Sequence, residues 1–167
     1  MTSHDNPIVY GPADGASVSL GGIDVRYKVP GAATGGAFSI VEHPVRPGTL
    51  VPPHVHADED EVSYVLEGTL GVRVGDDVFD AAPGSYVVKP RGVPHTFWNA
   101  GPDLARLIEI IAPAGFERYF TEMAKLLEDG GPDFDRISEL AAGYHLSFRL
   151  DWADDLITKY GVTVLGQ

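Results

Sequence analysis

Apolar and polar positions alternate along the first two thirds of the chain. From Val18 onward, Ile23, Val25, Tyr27 and Val29 fall at period two, the spacing that puts every second side chain on one face of a β-strand. The turn-rich stretch Pro30-Gly31-Ala32-Ala33-Thr34-Gly35-Gly36 interrupts the pattern, and a second apolar run at 37–42 is expected to end at Pro44, Pro47 and Gly48. Seven further short strands are predicted at 50–56, 61–66, 69–74, 78–81, 85–88, 95–99 and 105–111. Turn residues separate them: Glu67-Gly68, Gly75-Asp76-Asp77, Ala82-Pro83-Gly84, Pro90-Arg91-Gly92 and Ala100-Gly101-Pro102. This regular spacing predicts a mainly β fold, an antiparallel barrel or double-sheet sandwich.

At Pro113 the period changes. Phe116, Phe120, Met123 and Leu127 recur at helical spacing, with Arg118/Glu122 and Lys125/Asp129 as i,i+4 pairs, and Gly130-Gly131-Pro132 is expected to stop that helix. Asp133 is placed to cap a second helix closed by Gly143, and Asp151 a third ending at Gly161. Helices this short need a surface to lie on, so they form an appendage packed on the barrel or on a partner chain, either as simple packing or as a lid. The chain divides into an N-terminal arm and first strand region (1–34), the β-barrel (35–112) and the C-terminal helices (113–167).

Charge narrows the partners. With 24 acidic against 12 basic residues the net charge is −12, which disfavours binding to nucleic acid or to an anionic membrane surface. The chain contains no cysteine, so any metal ligands must be histidine and carboxylate. The N-terminus lacks a basic stretch followed by an apolar one, and a cytoplasmic protein acting on a small molecule is expected.

The segment 54–66 carries the candidate chemistry. His54 and His56 are two apart, so on a strand they point the same way, about 7 Å of chain from each other, close enough for one metal ion to bridge. Glu61 opens the next strand and can return beside them as an anionic ligand. The stretch 84–99 supplies a fourth ligand, His95, at the start of a strand on which His95, Phe97 and Asn99 share one face and Thr96 and Trp98 the other. His4, His43 and His145 lack such a context and are assigned ordinary structural roles.

Together these stretches resemble the two motifs of the cupin family. Gly48, His54, His56, Glu61 and Gly68 match the first, and Gly84, Pro90, Gly92, His95 and Asn99 the second, over a resemblance spanning roughly residues 35–112. It implies a cupin-type jelly-roll barrel, often a homodimer, holding one divalent metal on His54, His56, Glu61 and His95. Three imidazoles and a carboxylate suit Fe, Mn, Ni, Co, Cu or Zn and leave positions open for substrate, with about one net positive charge to favour an anionic oxygen. Arg73, on the strand face opposite Leu70, Val72 and Val74, is a candidate for a substrate carboxylate, although parity leaves open whether that face is inward. Leu50, Phe97, Phe116 and Tyr119 complete the expected substrate-binding set, the last two at the pocket mouth or in a packing stripe.

The leading functional expectation is a metal-dependent dioxygenase for a small, largely apolar, enolisable or hydroxylated substrate of flavonol-like or polyketide-like character, with Glu61 as proton acceptor as well as ligand. The run at 110–120 also resembles the passage into the terminal helix of small flavonol-dioxygenase-like cupins. Two alternatives stand beside it: a redox-neutral isomerase, lyase or cyclase with a Lewis-acid metal, and a non-enzymatic small-molecule binder.

Overall fold

The computed structural model describes residues 9–128 and 133–165. The expected helix stop at Gly130-Gly131-Pro132, the Asp129 half of its pair with Lys125, and the first eight residues, His4 included, lie outside them. Strands come first along the chain: β1 (Ser17–Ser19), β2 (Asp24–Val29), β3 (Ser39–Val45), β4 (Thr49–Leu50), β5 (His54–His56), β6 (Asp60–Glu67), β7 (Leu70–Val74), β8 (Asp77–Ala81), β9 (Tyr86–Lys89), β10 (His95–Asn99) and β11 (Ala105–Ala112). Helices α1 (Glu117–Glu128) and α2 (Phe134–Gly143) follow, then β12 (Leu146–Phe148), α3 (Ala153–Tyr160) and β13 (Thr163–Val164).

Two sheets face each other as a jelly roll. One has the order β1-β2-β3-β11-β6-β9; in the other, β12-β5-β10-β4-β13 is extended by β7 on β10 and β8 on β7. Period two is realised most fully in β11, where Ala105, Leu107, Glu109 and Ile111 are buried and the residues between them are half-buried. Three boundaries moved. β3 runs through Pro44 to Val45, because His43 and Val45 continue the inward face while Pro44 takes the other. The single strand expected at 50–56 is split into β4 and β5 around Pro52-Pro53. In the third helical region Asp151 sits inside a 3-10 turn, Leu150–Trp152, and α3 begins after it without a side-chain cap.

The C-terminal part is more than helices laid on a barrel. β12 pairs with β5, the strand of the two clustered histidines, and β13 runs parallel to β4. Asp133 does cap α2, accepting from the N–H groups of Asp135 and Arg136 at 3.1 and 3.2 Å. Glu122 accepts from the Tyr144 hydroxyl at 2.5 Å, which ties α1 to the end of α2, while Arg118 turns back to the Gly115 carbonyl.

A second apolar cluster joins Leu50 and Trp98 to Trp152, Leu156 and Val162. Gly71 is essential to it, since a Cβ there would overlap the Trp98 indole. Trp98 is fully buried and has nowhere to retreat. Gly71→Ala is therefore expected to cost about 1–3 kcal/mol by overpacking, read as a lowered urea midpoint at unchanged slope.

Candidate metal centre

β5, β6 and β10 bring His54, His56, Glu61 and His95 together, with one ligand atom from each lying within 4.8 Å of the others. His95 is directly opposite His54 in the antiparallel pair β10–β5, so both imidazoles leave the sheet on one side, their ring centroids 4.5 Å apart. His56 follows two residues along from His54 at 5.0 Å. The loop before β10 is anchored to the same strand: Gly92, at φ 76, donates its N–H to the His56 carbonyl at 2.7 Å. Asn99, the last motif position, serves the following turn, donating to the carbonyls of Val45 and Asp103 and accepting from Gly101 N–H.

The hydrogen bonds set the tautomers. His54 Nδ1 lies 2.7 Å from the Pro52 carbonyl and His95 Nδ1 3.0 Å from the Val93 carbonyl. A carbonyl can only accept, so in both rings Nδ1 carries the hydrogen and Nε2 is left with its lone pair. Glu59 holds His56 Nδ1 in the same way at 3.3 Å. Burial, reinforced by the neighbouring imidazoles, pushes the His54 pKa well below its usual value, and burial lowers that of His95. Burial alone would raise Glu61, but the Lys89 ammonium 3.0 Å from Oε2 holds it well below the ordinary carboxylate range.

An unprotonated acceptor therefore faces a charged one. His95 Nε2 is 3.1 Å from Glu61 Oε2, and His56 Nε2 is 3.4 Å from Oε1. Lone pairs opposed at that distance repel unless a cation lies among them. Three inward Nε2 atoms and a carboxylate, each oriented from behind, are the donor set that a divalent transition metal requires. The group fits. Bound there, such an ion would supply Lewis-acid polarisation of an oxygen ligand, or redox chemistry if iron or manganese.

His54, His56 and Glu61 open onto a cavity of about 540 Å³, within the size range of small-molecule sites. Phe97, Phe116, Tyr119 and Phe120 form much of its wall, with Ile137, Leu146 and Phe148 contributed by the C-terminal segment. The Phe116 ring stands edge-on to His56 at 4.3 Å and stacks on Tyr119 at 5.1 Å. Phe97, Phe116 and Tyr119 thus line the cavity. Leu50 and Arg73 do not. Leu50 pairs across strands with Trp98 and Arg73 with Thr96, so both take the face that Phe97 leaves. The Arg73 guanidinium lies 3.6 Å over the Trp152 ring and its Nε donates to the Gly75 carbonyl, a packing role.

A family model described as "Cupin domain" matches residues 42–111, the stretch that contains all four ligands. Residues 42–111 are a cupin domain. Among curated proteins, the chain is similar to one named polyketide synthase CurC from Streptomyces cyaneus, 27% identical over 105 residues that cover 54% of this chain and 68% of that protein. It is also similar to protein SchB from Streptomyces halstedii, 32% identical over 81 residues covering 48% of this chain and 57% of SchB. Among solved structures, the polyketide cyclase RemF from Streptomyces resistomycificus superposes with a TM-score of 0.55 at 28% identity, over 66% of this chain and 81% of RemF. KdgF from Halomonas sp. reaches a TM-score of 0.60 at 18% identity, over 68% of this chain and 99% of KdgF, a likeness of fold alone.

This cupin domain also holds charged groups that the sequence reading missed. Lys89 and Glu109, each about 1–2% exposed, meet on the cavity floor, with Lys89 Nζ 2.6 Å from Glu109 Oε2 and 3.0 Å from Glu61 Oε2. The Ser63 hydroxyl reaches both Glu109 oxygens, at 3.1 and 3.0 Å. Strand register explains the cluster, since Lys89 is opposite Glu61 and Glu109 opposite Ser63 on one inward face. Burial raises Glu109 to about 7 against the pull of Lys89, whereas the two carboxylates outweigh burial at Lys89 and raise it. Alternation along β11 and β9 marked both positions as facing the same way as Leu107 and Val87, and that was the available signal.

His43 lies on the same inward face and lines the cavity. Burial lowers its pKa from 6.5 to about 4, outweighing its bond to the Asp24 carbonyl. A depressed folded-state value means that His43 stays neutral in the native protein while the unfolded chain takes up a proton below about pH 6.5. Its contribution is complete above 6.5 and is lost as pH falls toward 4. Between pH 7 and 5 the metal-free protein is expected to lose about 2 kcal/mol more stability than His43→Gln, measured by urea unfolding; equal losses would place the His43 proton uptake elsewhere.

Proposed function

We propose that this cupin is a metal-dependent enzyme that promotes a redox-neutral ring closure or isomerisation of a small, largely apolar, enolisable substrate of polyketide-like character. The carrying observation is the convergence of three imidazoles and one carboxylate beside an aromatic-walled cavity of about 540 Å³, which His54, His56 and Glu61 line. Support for the substrate class comes from the named activity of RemF and the name of CurC.

The chain's own side chains provide the rest. Phe97, Phe116, Tyr119 and Phe120 exclude water and offer faces on which a planar ring can stack. Glu61 stays ionised, and Lys89 sets a positive charge beside it, so the floor favours an enolate or phenolate oxygen. A second reading, the dioxygenase expected from the sequence, is supported by the three-imidazole, one-carboxylate set, whose imidazole and carboxylate ligands also suit iron or manganese.

The test is turnover of aryl 1,3-diketones able to close a ring by intramolecular aldol condensation, with zinc-loaded and iron(II)-loaded protein, in air and under anaerobic conditions. Ring closure by zinc-loaded protein without oxygen supports the first reading. Turnover confined to iron with oxygen uptake replaces it with the second, and thermal stabilisation by the diketones with no turnover in any form makes the protein a binder.

The acting unit we propose is a homodimer. Val62, Tyr64, Tyr86, Val88, Ile108 and Ile110 form one outward face of the six-stranded sheet, cross-strand neighbours with no charge among them, and Tyr86 and Val88 are 71% and 61% exposed. Two copies that each carry −12 repel least across such a face. Sedimentation should give twice the 17.9 kDa chain mass for wild type and the chain mass for Tyr86→Lys/Val88→Asp; a monomeric wild type would remove the proposal.

A further inference from the structure

The proposed chemistry leaves the cavity histidine His43 unused. His43 is 4% exposed, sits on β3 rather than on a strand that supplies a ligand, and belongs to no cupin motif. Its Nδ1 lies 3.1 Å from the Asp24 carbonyl, which can only accept, so Nδ1 holds the hydrogen and Nε2 the lone pair. Among the described residues Nε2 has no hydrogen-bond partner, and the ring lines the cavity between Phe97 and Phe120, at centroid distances of 6.5 and 5.5 Å. A buried imidazole left with a free acceptor in a ligand cavity is an arrangement that packing alone does not require.

Its neighbours suit it to proton transfer. Lys89, Glu61, Ser63 and Glu109 cross the inward face as cross-strand pairs, Lys89 with Glu61 and Ser63 with Glu109. Glu109 is in turn opposite Val41, which puts His43 diagonally next to it, about 7–8 Å away. The row thus runs from the metal-ligand carboxylate through the ammonium to a neutral base on the far side of the floor.

We propose that His43 is a catalytic residue, the base that takes a proton from a carbon or hydroxyl of the substrate through Nε2. This rests on the enolisable substrate class proposed above. The substrate C–H or O–H bond breaks, its electron pair stays behind as an enolate or phenolate, and the proton forms the Nε2–H bond of an imidazolium. Ring closure or reprotonation consumes the pair, and the imidazolium returns the proton to carbon or oxygen. Nothing is oxidised. The Asp24 carbonyl keeps the ring in the tautomer that accepts at Nε2, and Lys89 faces the anion that results.

Hydrogen–deuterium exchange at the benzylic carbon of 2-tetralone, followed by proton NMR in D₂O, tests this with zinc-loaded wild type, His43→Gln and His54→Ala. Glutamine can still donate to the Asp24 carbonyl but is not a base. The expected result is exchange accelerated by wild type and reduced at least 100-fold in His43→Gln, with zinc content and 2-tetralone affinity unchanged and partial rescue by added imidazole. In metal-free protein, nitrogen-15 NMR of the His43 ring should show Nδ1–H and a bare Nε2. Exchange within threefold of wild type in His43→Gln, or a ring protonated at Nε2, overturns the role of His43 while leaving the proposed function standing. Should wild type give no acceleration, the proposed function and the His43 role fall together. Loss in His43→Gln accompanied by loss of zinc or of probe binding would mark His43 as structural and end the proposal.

Discussion

One zinc or iron(II) ion per chain is expected in reloaded protein, and His95→Ala should weaken its hold by well over 100-fold, more than the loss typical of removing an outer partner of a ligand. The reason is geometric. His95 is opposite His54 and in contact with Glu61, so its removal deletes one donor and frees the carboxylate that faced it. Because the ion binds the folded chain, a free concentration 1,000 times the dissociation constant should stabilise wild type by about 4 kcal/mol. For a chain of this length that is roughly a 10 °C rise in midpoint temperature, and His95→Ala should show almost none of it. Elemental analysis and paired thermal scans with and without a chelator would check this. Full metal occupancy in His95→Ala would mean that the four-donor cluster is not the site.

The second large effect is expected at Lys89. Replacing it with methionine removes the only lysine or arginine side chain among the described residues that touches the buried carboxylates of Glu61 and Glu109. Breaking one side of a buried ionic cluster costs about 3–5 kcal/mol, here a fall of roughly 10 °C in the metal-free protein. Adding Glu109→Gln removes one of the two buried acids left without a cation and should recover part of the loss, since uncompensated buried carboxyl groups are the main cost. Metal loading should also recover part of it, because an ion replaces the cation that Glu61 has lost. A single variant as stable as wild type, or a double variant no better than the single, would show that the cluster holds no such energy.

Legibility differed sharply between residues. The four candidate ligands were readable because their spacings are local: His54 and His56 share a face by strand alternation, Glu61 is the second residue of β6 and His95 the first of β10. Phe116 and Tyr119 were readable as aromatics at the first turn of a helix leaving the last barrel strand. Arg73 and Leu50 were misplaced for a single reason. Alternation tells which residues share a face, but not which face looks inward, and only the pairings of Leu50 with Trp98 and Arg73 with Thr96 decide that. His43 was read as structural because a lone histidine on a strand carries no local sign that its free nitrogen will border a cavity.

By itself, the sequence determined most of the barrel strands, the turns between them and the candidate metal-ligand set, since backbone geometry ties these to residues only a few positions apart. Only the tertiary structure decided that Lys89 and Glu109 meet beneath Glu61, that His43 joins their row, and that β12 of the C-terminal segment extends the sheet beside the histidine strand. Those contacts span from 20 to more than 90 residues of chain. They depend on strand register and on which strands become neighbours, and pairing at that range is set by burying the whole apolar core rather than by any short stretch.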